Sequence, residues 1–132
     1  GRSLDCLNDR AMEILALVGL ERFARMVAVE LPYGRKRALE IATTLALEPE
    51  LMLLDEPTQG MGHEDVDRVM RLIKDVSANR TILMVEQNAM EALHISDRAY
   101  VLALGKVAMS GHAKDLLDDP RMRELYFGGR AA

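Results

Sequence analysis

Apolar residues at Leu4, Leu7, Ala11, Ile14, Leu15 and Val18 recur every three or four positions. That spacing predicts an amphipathic helix with Ser3 as candidate N-cap and Gly19 as candidate C-cap. The periodicity weakens from Leu20 to Glu30, breaks at Leu31-Pro32-Tyr33-Gly34 and resumes over Arg35 to Leu47, where Ala38, Ile41, Ala42 and Leu45 form the stripe and Pro49 ends the helix. Leu51 to Leu54 is a continuous apolar run closed by Asp55-Glu56-Pro57. Being apolar at alternating positions on both sides, it predicts a strand covered on both faces in a parallel sheet. Gly60 and Gly62 mark a turn, and Glu64 and Asp65 favour the start of a helix carrying Val66, Val69, Met70, Ile73 and Val76. Thr81 to Val85 reads as a second strand, which completes a βαβ unit with a right-handed crossover. A short helix from Ala89 to about Ile95, an antiparallel hairpin turning at Gly105-Lys106 and two short helices around Asp119-Pro120 follow. Residues 128–132 read as a frayed tail.

The 132 residues are 49% hydrophobic and 29% charged, so this length can support a core without metals or disulfides. A net charge of −4 argues against a polybasic surface, and hence against nucleic acid or anionic lipid as a partner. Cys6 is the only cysteine, which rules out an internal disulfide and a cysteine-based zinc site. No run reaches the 18 or so apolar residues of a membrane span, and the first residues lack a signal-peptide pattern. No direct membrane insertion is expected; a membrane role would come through a partner. His63, His94 and His112 lie far apart with no ligand spacing and read as surface residues, and Met52, Met70 and Met84 read as core filler. Glu91, Asp97 and Arg98 read as a solvated face.

Two features carry chemistry. Adjacent carboxylates, Asp55 and Glu56, close an apolar strand, and the carboxyl ends of strands in open α/β sheets face the ligand crevice. Neighbouring side chains point in different directions, so one acid can hold magnesium while the other positions or deprotonates a water. The plain alternative is a solvated strand end that starts a turn. About twenty residues earlier, Leu31-Pro32-Tyr33-Gly34-Arg35 opens a helix whose first N–H groups form a ready anion site. Arg35, Lys36 and Arg37 crowd that first turn against the helix dipole, so they serve something else.

Leu31 to Arg35, then Leu51-Met52-Leu53-Leu54-Asp55-Glu56-Pro57-Thr58, then Val85-Glu86-Gln87, resemble in this order the ATP-binding subunits of ABC transporters. Gln87-Asn88 and the closing Tyr126-Phe127-Gly128-Gly129 are similar to the branch that energises branched-chain amino acid uptake. The resemblance implies an α/β chain, part of a P-loop NTPase of the ABC nucleotide-binding type, with parallel strands, flanking helices and a C-terminal antiparallel hairpin. It implies one partial domain over residues 1–132, with a helical signature region at 1–48 and the Walker B, D-loop, switch and C-terminal region at 49–132. It also implies the roles: Leu31, Pro32, Tyr33, Gly34 and Arg35 as a signature peptide meeting ATP held by a second nucleotide-binding subunit, Asp55 as the holder of Mg2+ through water, Glu56 as the water-activating base, Thr58, Gln59, Gly60, Met61 and Gly62 as the D-loop, and Gln87 as the γ-phosphate sensor. Partners would be that second subunit, as homo- or heterodimer, and transmembrane permease subunits. The location implied is cytoplasmic, at the inner face of the plasma membrane through the permease.

Three positions depart from the family pattern: Pro32 where a serine is usual, Gly62 where an aspartate is common and Gln87 where a histidine is usual. A fourth departure is larger, because no G-x-x-x-x-G-K-[ST] phosphate loop occurs in the 132 residues. By resemblance that segment lies upstream of Gly1, so this chain alone is expected neither to hold ATP tightly nor to hydrolyse it, and to self-associate through uncovered core faces. A naturally truncated or degenerate interaction module is the other class these departures allow.

Overall fold

The computed structural model describes residues 4–127; Ser3 and the 128–132 tail, including Gly128-Gly129, lie outside them. The chain divides into two compact units, Gly1–Val85 and Glu86–Ala132.

In the first unit, helix α1 (Leu4–Leu17) is followed by Gly19 at φ 69°, the left-handed conformation a helix exit favours. Residues 20–30, weakly periodic in sequence, form two short 3-10 turns, Glu21–Phe23 and Ala28–Glu30. Helix α2 (Tyr33–Leu45) buries Ala38, Ile41, Ala42 and Leu45. Strand β1 (Leu51–Asp55) leads to α3 (His63–Val76), whose stripe of Val66, Val69, Met70, Leu72, Ile73 and Val76 is buried along its length. Strand β2 (Thr81–Val85) pairs with β1 in parallel, Leu51 opposite Thr81 and Asp55 opposite Val85. The βαβ pattern thus takes the form the spacing implied.

Coverage of the sheet differs from expectation. Met52 is 1% exposed, but on the opposite face Leu51, Leu53, Leu83 and Val85 are 54–69% exposed. A parallel sheet is buried on both faces only where layers lie on both sides, and among the described residues one face is open. The two faces should therefore differ sharply in energetics within a single, unassociated chain: Met52→Ala is expected to cost about 2–5 kcal/mol of stability, and Leu53→Ala within about 0.5 kcal/mol. Urea unfolding of the two variants measures the contrast.

In the second unit, α4 (Ala89–Ile95) precedes the hairpin of β3 (Arg98–Ala103) and β4 (Lys106–His112), antiparallel with a register shift between Val101 and Leu102. Leu104 and Gly105 turn it with positive φ of 50° and 75°. Helices α5 (Ala113–Asp118) and α6 (Pro120–Phe127) follow, and Leu93, Val101, Met109, Ala113, Leu116 and Met122 form the buried cluster of this unit. His63, His94 and His112 are exposed, as is Cys6. No helix among the described residues is long and apolar enough to cross a membrane.

Candidate functional site

The turn before α2 starts the site. Pro32 is its N-cap residue, extended at φ −55° and ψ 150°, and offers no side-chain cap. Its carbonyl instead accepts from the N–H groups of Arg35 (2.9 Å) and Lys36 (3.0 Å). Tyr33 and Gly34, the first two helical positions, have N–H groups that by position find no acceptor inside the helix. Leu31 is buried and anchors the turn from below.

Gly34 is buried, and its lack of a side chain is a matter of space. A Cβ there would lie 2.7 Å from Cγ and 2.8 Å from Oδ1 of Asp65 in the first turn of α3. Oδ1 of the same carboxylate accepts from Arg68 at 2.8 Å. Asp65, read from sequence only as a favourable helix start, thus packs directly on the signature turn. Its sequence signal is a carboxylate six residues beyond the D-loop's Gln59, visible only once the two helix starts are known to meet.

Two of the three crowded cations are accounted for within the chain. Arg35 donates from Nη1 to the Gly19 carbonyl at 3.3 Å, and its guanidinium lies 5.3 Å from the Phe23 ring centroid. Burial, then the charges of Arg68 and Arg22, push its pKa down, with Asp65 opposing them. Arg37 pairs with Glu40 at 2.7 Å. The structure therefore turns the Arg35 guanidinium toward the Gly19 carbonyl and the Phe23 ring.

At the carboxyl end of β1, Asp55 is exposed and Glu56 half-buried. The N–H of Glu56 donates to the Val85 carbonyl at 2.7 Å, and the residue then leaves the strand at φ 44°, in the left-handed region that a non-glycine residue takes only when its surroundings hold it. Pro57 is buried and Thr58 is 1% exposed, which roots the turn that follows. Gln59 N–H donates back to the Glu56 carbonyl (3.1 Å) and Met61 N–H to Thr58 (3.2 Å). Gly60 takes φ 75° and Gly62 becomes the N-cap residue of α3. The hydroxyl of Tyr33 donates to the Gln59 carbonyl at 3.1 Å, so the turn that opens α2 touches the loop between β1 and α3.

Gln87, the second residue of the second unit, is exposed. Oε1 of Glu86 accepts from the N–H groups of Gln87 (2.9 Å) and Asn88 (3.3 Å), which shapes the switch turn before α4. That carboxylate had drawn no attention in the sequence beyond its place in Val85-Glu86-Gln87.

Among the described residues no cluster of three histidine, cysteine or acidic side chains is placed to hold a metal. Magnesium keeps several waters and takes one or two carboxylates together with nucleotide phosphates. One solvent-facing carboxylate at a strand end, Asp55, fits that requirement.

Comparison with known proteins agrees with this geometry. Residues 6–59 match the ABC transporter family. The chain is 36% identical over 122 residues to the lipopolysaccharide export system ATP-binding protein LptB of Acidithiobacillus ferridurans, covering 92% of this chain and 51% of that protein. It is 34% identical over 122 residues to the high-affinity branched-chain amino acid transport ATP-binding protein LivG of Salmonella typhimurium, covering 91% and 48%. The ADP conformation of MJ1267, an ATP-binding cassette of an ABC transporter, superposes with a TM-score of 0.78 at 26% identity over 91% of this chain and 49% of that one. The chain spans about half the length of the relatives it matches. Sequence and fold both resemble the ATP-binding cassettes of ABC transporters, over about half of their length.

Proposed function

We propose that this chain supplies the signature, Walker B, D-loop and switch segments of a subunit that binds and hydrolyses ATP to energise an ABC importer, with branched-chain amino acids or related solutes as cargo. The observation that carries the reading is the Asp55-Glu56 pair at the end of β1, fixed by the Glu56 to Val85 hydrogen bond and flanked by a signature turn tied to the D-loop. Likeness to LivG supports the cargo class. The chain is similar at about the same identity to LptB, of lipopolysaccharide export, so the cargo is the least specific part of the reading.

In a complete subunit Glu56 accepts the proton of the attacking water. Asp55 would hold magnesium, which when bound would supply positive charge against the phosphates. Backbone N–H groups of Tyr33 and Gly34 meet the phosphates of ATP carried by a second copy. Gln87 donates its amide to the γ-phosphate; being uncharged, it positions without neutralising. The permease subunits would place this assembly at the cytoplasmic face of the membrane. Phosphate release from Mg-ATP by the complete subunit tests the reading, and a subunit that binds ATP yet never turns it over would favour the non-catalytic module that Pro32, Gly62 and Gln87 allow.

The 132-residue chain alone should associate. Leu51, Leu53, Leu83 and Val85 share one open sheet face, and burying each contributes roughly 1–2 kcal/mol. Light scattering is expected to show a dimer or larger species that Leu53→Lys with Leu83→Lys returns to monomer. A wild-type monomer at high concentration would count against it.

A further inference from the structure

Tyr33 is 53% exposed, and a helix start has no requirement for an aromatic side chain. What it contributes is reach. Its hydroxyl donates to the Gln59 carbonyl at 3.1 Å, the Gln59 N–H donates to the Glu56 carbonyl at 3.1 Å, and the Glu56 N–H donates to the Val85 carbonyl at 2.7 Å. Three hydrogen bonds therefore link the signature turn, through the two peptide groups that flank the Gln59 Cα, to the residue whose backbone sits at φ 44°. Alongside them, Gly34 packs on the Asp65 carboxylate, so the stretch between β1 and α3 is held against α2 at Gln59 and again at the start of α3.

We propose that Tyr33 is a positioning residue for Glu56, acting through the Gln59 backbone. This rests on the ATPase reading above. Glu56 stays in a left-handed backbone only while its neighbours hold it there. Its amide is fixed by the β2 strand, its carbonyl accepts from the N–H of Gln59, and the next peptide group, through the Gln59 carbonyl, is held by the Tyr33 hydroxyl. A shift of the signature turn is thus passed to the Glu56 carboxylate and is not absorbed by the D-loop. Nucleotide contact at the signature turn is felt at the water-activating base of the same copy.

The test is Tyr33→Phe in the complete subunit, which keeps the ring and removes only the hydroxyl. Steady-state ATP hydrolysis and amide hydrogen exchange at residues 59–61 are read side by side. Expected are a kcat lowered about 2- to 10-fold with KM for ATP unchanged, and exchange at Gln59 and Met61 raised by a similar factor, the effect of one lost hydrogen bond. Wild-type kcat, a loss carried by KM alone, or unchanged exchange at those amides overturns the proposal. Wild-type subunit that releases no phosphate overturns the ATPase reading instead, and the exchange measurement then decides the Tyr33 tie by itself.

Discussion

Glu56→Gln in the complete subunit is expected to lower ATP turnover by about 10²–10⁴-fold, the contribution of a positioned general base, while leaving ATP affinity within a few-fold of wild type. The amide matches the carboxylate in shape, and the features that place residue 56 are backbone ones: the N–H on Val85, the carbonyl under Gln59 and the left-handed φ. What the variant loses is the ability to take a proton from water. Asp55→Asn is expected to separate from it by weakening magnesium-dependent binding as well, because Asp55 faces solvent at the strand end and is the residue proposed to hold the metal. Turnover by radiolabelled phosphate release and binding by calorimetry on the same preparations distinguish the two acids. Wild-type-like turnover in Glu56→Gln removes Glu56 from the role.

The 132-residue chain by itself is expected to bind Mg-ATP more weakly than about 1 mM, near the floor of specific recognition. Three kinds of group face phosphate in this fold: a glycine-rich cradle with its lysine, a metal-holding acid, and the N–H groups of a signature turn. The first is absent from these residues. Of those present, Asp55 and Glu56 are negative, and the one arginine of the signature turn is directed at Gly19 and Phe23. Little therefore remains to offset four phosphate charges. Micromolar binding by calorimetry would show that the signature turn is a phosphate site in its own right.

The regular elements of the fold were legible because each has its own local cause. Three-and-four spacing marks α1, α2 and α3, a short apolar run with β-branched Thr81, Ile82 and Val85 marks β2, and Gly105 marks the hairpin turn. Coverage of the sheet was not legible: Leu51 and Leu53 read as core by composition, but burial depends on whether a layer lies opposite, which no window of sequence contains. The site divides in the same way. Asp55, Glu56 and the signature turn announce themselves by residue type and position, whereas Asp65 against Gly34 and Tyr33 on Gln59 join segments 31 and 26 residues apart in sequence. Arg35 illustrates the converse, a cation that sequence aims at phosphate and the fold turns to a carbonyl and an aromatic face.

The central claim is that this signature turn completes a nucleotide site on a second copy. Light scattering on the complete subunit carrying Glu56→Gln tests it most directly. The account predicts a dimer in Mg-ATP, a monomer in Mg-ADP, and loss of the ATP-dependent dimer when Gly34→Glu blocks the turn. A subunit that stays monomeric in saturating Mg-ATP, or that dimerises equally with the turn blocked, would contradict it.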